Sequence, residues 1–567
     1  MLIARPLRHR QLIYALIILS AASVVLLPIF IRGFPKGIDI GFHYRWNYYF
    51  AEELRQGTLY PRWLSGVNHG YGSPVTLYYP PLQFYVTAAI NNFLVHDTWW
   101  AISLACWVAT ALCGLSTYLF SRAFLSSWLS LAASMLHMWA PYHLLELYRG
   151  NTLSQYWSSV WVPLVLWAIH RIAVGSGWSA VPYLALSYGL LCLTHVPVAF
   201  ATMLIIPIYV VLLTREPRKL IRVGAGLTLG LGISAVFMSS VLLERQYVTL
   251  NAALQERFTD CFLFEHLHHL RKINLLSSAD YPGRPGYLLE IDLAAVGLTI
   301  LTLLSLLIIW WSRNDSENGS RWNPLLGAIL GVVTLSLFFT TQASAPVGQI
   351  IPFLEYIQCP DRWLVITVSG ACLLIAAAVA ATIRSRKHRI LKAVFLTAAV
   401  ALNLLIGAHI TTQFQADTER VEHKALDKLE APQYTPIWWS REWQNEFESA
   451  PGVVNSGDST ISTIHDTGLR QQYTLTASTA SVLTLRPLYF PGWIARVDGK
   501  PTPIGPGEEG HIQLSIPAGE HALMLSFEDT WPRTTGKIIS ALSLMISFAL
   551  MYLARRRNPS TPTGPEG

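Results

Sequence analysis

Apolar positions fall in long unbroken runs over the first 410 residues of this chain, and in short alternating stretches over most of the segment that follows. The long runs lie near 11–31, 100–120, 123–140, 154–171, 180–194, 197–212, 223–243, 291–311, 324–341, 364–382, 390–409 and 537–554. A bilayer crossing takes about 20 helical residues, so these twelve runs predict twelve spans. The 180–194 and 197–212 pair is short and is expected to be broken near Pro197 or tilted. One further run, PPLQFYVTAAINNFLVH at 80–96, is apolar enough to insert, but counting it as a span reverses every later loop. It is therefore expected to lie at the interface or to extend into the next helix.

The alternating pattern belongs to the segment 410–536. Its QQYTLTASTASVLTLRPLYFPGWIARVDGKPTPI stretch places short polar and apolar alternations between Pro-Gly, Asp-Gly and other glycine-rich turns, which are strand and hairpin signals. The expected organisation is a helical membrane domain over 1–409, a β-rich sandwich-like domain over 410–536, an anchor at 537–554 and a tail at 555–567. No internal repeat is evident.

Composition sharpens the membrane reading. Hydrophobic residues make up 52% and charged residues 13% of the chain, the latter about half the ordinary soluble fraction. Together with 20 tryptophans, this excludes a soluble enzyme, and disorder over most of the length is excluded because it needs low hydrophobicity.

The net charge of +7 sits in clusters beside apolar runs: Arg5, Arg8 and Arg10; Arg215, Arg218, Lys219 and Arg222; Arg384, Arg386, Lys387, Arg389 and Lys392; Arg555, Arg556 and Arg557. That is the distribution of cytoplasmic anchors, not a nucleic-acid footprint. Starting inside and crossing at each run puts all four clusters in the cytoplasm, with both termini cytoplasmic and 410–536 outside. Residues 11–31 lack a small-residue cleavage region and are read as the first span rather than a signal peptide. Of six cysteines, only Cys261 and Cys359 are disulfide candidates, since the others lie inside apolar runs.

Candidate chemistry gathers on the outer side. If residues 38–54 are helical, Asp39 and His43 share a face, and a carboxylate and an imidazole there can bind a divalent ion or activate a hydroxyl. The same stretch also reads as an interfacial helix anchored by its Tyr and Trp residues. Tyr71 in HGYGSP and Tyr79 in YYPPL form part of an aromatic wall suited to a lipid or a sugar face, or to packing on the bundle. On the same predicted side lie His137, His143, Glu146 and Arg149 around PYHLLELYRGN, His195 in THVP, and Asp361 and Arg362 in QCPDRW. Glu265, His266, His268 and His269 in EHLHH lack the flanking ligands of a zinc site. Ionisable residues at membrane depth are expensive, which makes these groups functional candidates.

IDIGFHYRWNYYFAEELRQGTLYPRWLSGVNHGYGSPVTLYYPP, PYHLLELYRGN, LTHVP and QCPDRW resemble the bacterial integral membrane family related by name, not by pterin chemistry, to 6-pyruvoyl-tetrahydropterin synthase. The overall arrangement resembles the GT-C superfamily of polytopic glycosyltransferases, and LYFPGWIARVDGKPTPI resembles YfhO-like membrane proteins. The resemblance implies a GT-C-like helical architecture and a membrane glycosyltransferase that moves a sugar from a polyprenyl-phosphate donor to a cell-envelope glycan, lipid or protein acceptor. It also implies Asp39 as the catalytic acidic residue. The neighbours Ile38 and Ile40 leave Asp39 without an adjacent second acid, and Gln155 stands where the narrower family places one.

On this reading Asp39 and His43 are catalytic, and Arg149, His195, Asp361, Arg362, Tyr71 and Tyr79 bind substrate, the two arginines matching phosphate geometry. Asp39, Arg149, His195 and Arg362 are expected to border a main cavity lined by the first loop and open laterally between helices. No cofactor is required, and a divalent metal ion stays open. The expected location is the bacterial inner or plasma membrane. The competing reading is a lipid or polysaccharide transporter, or a non-catalytic envelope assembly factor that binds another envelope protein.

Overall fold

The computed structural model describes residues 9–175, 177–249, 262–263, 284–314, 323–351, 354–384, 389–414, 434–440, 447, 450–507 and 509–557. Every expected apolar run is helical. Among the described residues, seven helices are long and apolar enough to cross a membrane: Arg10–Arg32, Thr98–Ser121, Val196–Leu213, Tyr287–Ser312, Pro360–Ile383, Arg389–Thr412 and Trp531–Ala554. Two bent pairs bring that number to nine, Pro217–Ile233 with Ala235–Leu243 at 75° and Pro324–Thr340 with Gln342–Gly348 at 91°.

The expectation of twelve spans is corrected at Ser127–Met138 and Trp161–Ala173, while Val181–Cys192 is short as expected. Ser127–Met138 and Val181–Cys192 have 12 residues each and Trp161–Ala173 has 13, so they are roughly 20 Å long against a hydrocarbon core of about 30 Å. Short helices are tolerated where the chain is buried among its neighbours, because polar breaks then find protein partners. The turn before Val196 shows this: the Thr194 hydroxyl accepts from Trp161 Nε1 at 2.8 Å and donates to Leu190 O at 2.7 Å. Residues 82–95 form one short apolar helix, Leu82–Ile90 continued by a wide turn at Asn91–Val95. At roughly 21 Å it does not reach across a bilayer. It ends with Phe93 82% exposed, as an interfacial segment requires.

The last helix is docked rather than loose. Pro217–Leu243 breaks at Ser234, and a broken helix leaves backbone groups that need partners. Ser540 supplies them: its hydroxyl accepts from Val236 N at 2.8 Å and reaches the carbonyls of Gly232 and Ile233 at 3.1 and 2.9 Å. Small residues allow the approach, since a Cβ on Gly536 would come within 2.4 Å of the Ala235 carbonyl oxygen.

Outside the bundle, two antiparallel sheets form the expected sandwich. The strands are β1 (Val248–Thr249), β2 (Thr435–Pro436), β3 (Gly452–Ser456), β4 (Ser459–Asp466), β5 (Arg470–Ala477), β6 (Ser481–Leu488), β7 (Trp493–Val497), β8 (Lys500–Thr502), β9 (Gly505–Pro506), β10 (His511–Ile516) and β11 (Gly519–Phe527). One sheet has the order β3-β6-β10-β9 and the other β4-β5-β11-β7-β8, while β1 pairs only with β2. The Asp-Gly signal is the β7–β8 turn: Asp498 and Gly499 have φ of 51° and 79°, as a two-residue hairpin of this twist demands.

This sandwich shares its core with the first outer loop. Trp63 is fully buried against Phe490, Trp493 and Phe527, with ring centroids 5.5 to 6.0 Å apart. Arg62 pairs with Asp529 at 2.5 Å, Arg486 Nη2 donates to His69 O at 2.8 Å, and Leu488 N donates to Tyr71 O at 2.9 Å. Glu244, at the end of the bent pair, meets Arg533 of the last helix at 3.0 Å, both side chains fully buried. The first loop is thus clamped between bundle and sandwich.

Candidate functional site

Asp39 stands immediately before the helix Ile40–Arg55, where its side chain makes no capping bond. Its position is set by backbone. Ile38 N donates to Arg149 O at 3.2 Å and Asp39 N to Gly150 O at 3.1 Å, so the two segments run side by side. Gly37 makes this approach possible, because a Cβ there would fall 1.9 Å from Asn151 Oδ1 and 2.5 Å from Arg149 O. Asp39 and Arg149, 110 positions apart in the sequence, therefore sit on adjoining backbone.

One turn into the helix, His43 N bonds to Asp39 O, and His43 Nε2 lies 3.4 Å from the Tyr79 hydroxyl. Burial pushes the His43 pKa down to about 3, so the imidazole is neutral. His43, Trp46 and Tyr79 pack with ring centroids 5.1 to 6.1 Å apart. The Tyr79 hydroxyl lies within charge range of Asp39 and Arg362, and burial raises its pKa.

The other half of the site comes from the turn Pro360–Trp363. Arg362 Nη1 donates to Ile357 O at 2.7 Å, and the guanidinium lies within charge range of Glu146 and His195. His195 caps the helix Val196–Leu213, its Nδ1 accepting from Val198 N at 3.3 Å. Burial, reinforced by the Arg362 charge, drives the His195 pKa well down. Asp39, His43, Tyr79, Arg149, His195, Asp361 and Arg362 thus form one connected neighbourhood drawn from five segments.

Tyr71 is not part of it. Its ring stands edge-on to His511 at 4.7 Å and to Phe447 at 5.9 Å, in the seam with the sandwich. The aromatic wall expected from HGYGSP and YYPPL therefore divides, with Tyr79 facing the site and Tyr71 facing the sandwich.

Several site residues carried no signal of their own in the sequence. Arg149 Nη2 meets Glu290 Oε1 at 3.3 Å, and Tyr287, one turn earlier, crowds Gly150, where a Cβ would lie 2.6 Å from the tyrosine oxygen. Both belong to a helix starting at Arg284, ahead of the apolar run, where their three-residue spacing puts them on one face. Gln155 and Tyr142 connect Glu146 to Asp361. Gln155 Nε2 donates to Glu146 Oε1 at 2.8 Å and to the Tyr142 hydroxyl at 2.7 Å, which reaches Asp361 O at 2.9 Å. Burial, then the Asp361 charge, pushes the Glu146 pKa up to about 8.

A cavity of about 10 Å³, the room of roughly one water, lies against this chain and is lined by His137, Tyr142, His143, Glu146, Gln155 and Tyr156 among others. Asp39, Arg149, His195 and Arg362, expected to border the main cavity, are not in the lining of this one, and Arg149 is folded onto Glu290. Among the described residues no group of three His, Cys, Asp or Glu side chains is placed to hold a metal ion. The EHLHH residues and Cys261 lie outside the described residues.

The family model described as "6-pyruvoyl-tetrahydropterin synthase related domain; membrane protein" matches residues 76–415, more than half of the chain. Among curated proteins no relative matches. Among solved structures, the chain is similar to the arabinofuranosyltransferase AftD from Mycobacteria, at 15% identity and a TM-score of 0.44, over 70% of this chain and 27% of that one. It is also similar to the apo oligosaccharyltransferase of Archaeoglobus fulgidus, at 12% identity and a TM-score of 0.42, over 72% and 58% of the two chains. A third similarity is to ArnT from Cupriavidus metallidurans bound to undecaprenyl phosphate, at 13% identity and a TM-score of 0.28, over 65% and 78%. The chain thus spans little more than a quarter of the AftD chain.

Proposed function

The chain belongs to the family of membrane proteins related to 6-pyruvoyl-tetrahydropterin synthase, and from that premise we propose that it is a membrane glycosyltransferase. In this reading it moves a sugar from a polyprenyl-phosphate donor to a cell-envelope acceptor, at the outer face of a bacterial inner or plasma membrane. The observation that carries the reading is the pairing of the Asp39 backbone with Gly150 beside Arg149, with Tyr79 within charge range of both Asp39 and Arg362. A carboxylate and two guanidinium groups are thereby gathered at one end of an apolar bundle.

The chemistry asked of these groups is a single displacement. The acceptor hydroxyl oxygen attacks the anomeric carbon, its proton passes to the Asp39 carboxylate, and the bond from that carbon to the phosphate oxygen breaks with inversion. The leaving lipid phosphate keeps the bonding electrons, and Arg149 and Arg362 offset its charge. Because the phosphate is already a good leaving group, a two-carboxylate hydrolase arrangement is unnecessary. His43, held neutral, orients through Tyr79 rather than supplying charge.

The test is purified protein given a panel of polyprenyl-phosphate sugars, with transfer followed by mass spectrometry. Sugar transfer supports the proposal. Lipid movement without sugar transfer replaces it with the transporter reading, and neither activity across the panel removes both in favour of an assembly role.

A further inference from the structure

Gln155 occupies a position where an acidic residue is the family expectation, and its surroundings explain what an amide does there. Both oxygens of Glu146 accept hydrogen bonds, Oε2 from Thr152 at 2.7 Å and Oε1 from Gln155 at 2.8 Å. The second N–H of the same amide goes to the Tyr142 hydroxyl at 2.7 Å, which frees the phenol proton for Asp361 O at 2.9 Å. The amide thus donates to the neighbours on both sides of it, and Glu146, Gln155, Tyr142 and Asp361 are all buried. Gln155 is the only member able to donate in both directions. A carboxyl group at 155 would bring no N–H and would stand about 3 Å from that of Glu146, so the two would have to share a proton whenever one of them ionises.

The chain ends on the residue before Arg362. Pro360–Trp363 is a single tight turn, so anchoring the Asp361 carbonyl fixes where the next side chain leaves the backbone. We propose that Gln155, acting through Tyr142, is a positioning residue for Arg362: its amide locks the turn that presents the guanidinium to a lipid phosphate. This rests on the reading that Arg362 binds the donor phosphate. Asp361 and Arg362 are consecutive in the sequence, whereas Gln155 lies more than 200 residues away, so the lock joins two parts of the bundle.

The closing experiment measures binding of a polyprenyl monophosphate to the full chain in nanodiscs between pH 6 and 8.5. The uncharged polyprenol is the control, and thermal unfolding checks each variant. Arg362→Ala is expected to weaken phosphate binding at least about 10-fold, the loss of one charge-assisted contact. Gln155→Glu is expected to bind within about 3-fold of the unsubstituted protein at pH 6, where a shared proton restores one donor. At pH 8.5 it is expected to bind at least about 10-fold more weakly, because two facing carboxylates then open the chain. Taking the ratio of variant to unsubstituted protein at each pH cancels the titration of the phosphate itself. Tyr142→Phe is expected to weaken binding at every pH without that slope.

If Arg362→Ala weakens binding but Gln155→Glu tracks the unsubstituted protein across the range, the positioning role is wrong while the phosphate reading stands. If phosphate and polyprenol bind alike, or Arg362→Ala changes nothing, the phosphate reading fails and takes this inference with it.

Discussion

The Asp39 N–H donates to the Gly150 carbonyl at 3.1 Å, one residue beyond Arg149. That bond fixes the spacing between the backbone positions from which the Asp39 carboxylate and the Arg149 guanidinium hang, an approach that Gly37 permits.

Asp39→Asn keeps the shape and removes the charge. Transfer is expected to fall at least about 100-fold, the lower end of what a positioned base contributes. Folding should be unchanged, since the Asp39 side chain makes no capping bond to its helix. Rates by mass spectrometry beside an unfolding curve check both halves, and undiminished transfer by folded protein rejects the catalytic role.

Orientation is checked by single cysteines at Ala450 or Lys500, both exposed, in a cysteine-free background. A membrane-impermeant maleimide is expected to label them from the extracytoplasmic side of intact cells. Labelling only after cytoplasmic access would invert the proposed topology.

Glu53 predicts a pH dependence. Its Oε1 accepts from Ser65 while its buried Oε2 has no hydrogen-bond partner, and the β4–β5 turn at Gly468 presses against it. Burial is the main cause that pushes its pKa from an ordinary 4.5 up to about 7, and the Asp466 and Glu52 charges add to it. The folded state therefore holds this proton more tightly than the unfolded chain does. Its stabilisation is full below about pH 4.5 and is lost as pH rises through 7, a change of roughly 3 kcal/mol at most. Glu53→Gln is expected to remove this contribution and to melt higher than the unsubstituted protein at pH 8. Thermal unfolding at pH 5 and 8 reads it, and equal slopes for the two proteins would count against it.

The buried Glu244–Arg533 pair predicts non-additivity. Either Glu244→Gln or Arg533→Met alone is expected to cost about 3–5 kcal/mol, because each leaves a buried charge without its partner. The double variant is expected to recover most of that. Denaturation of all four proteins in detergent gives the coupling, and simple additivity would mean the two side chains act independently.

Local pattern carried the helices, the strand segment and the Asp498–Gly499 hairpin, because periodicity and turn chemistry are written in neighbouring residues. The short helix at 82–95 is excluded as a span by the charge pattern of the later loops, since its local hydropathy alone allows insertion. Local pattern overstated Ser127–Met138 and Trp161–Ala173, since hydropathy does not register where buried polar breaks such as Thr194 find partners. At the site, Asp39, Arg149 and Arg362 were visible as charges out of place beside apolar runs. Glu290 and Tyr142 were not, because what matters about them is a partner more than a hundred residues away. Tyr71 misled for the same reason: an aromatic residue in a glycine turn has the same local signature whether it faces a ligand or a neighbouring domain.

The shared core of first loop and sandwich also bears on how the chain is made. Arg62 and Asp529 are 467 residues apart, yet each completes the other's surroundings. At about 5–20 residues per second, the first loop waits roughly 20–90 s after its own synthesis before Trp63 has Phe490 and Phe527 to pack against. During that interval a tyrosine-rich loop that carries Trp63 stands with its adhesive face bare. Its biogenesis therefore depends on something that holds such a surface, either an extracytoplasmic chaperone or the bilayer surface, and premature termination anywhere before β11 leaves a product that cannot cover it.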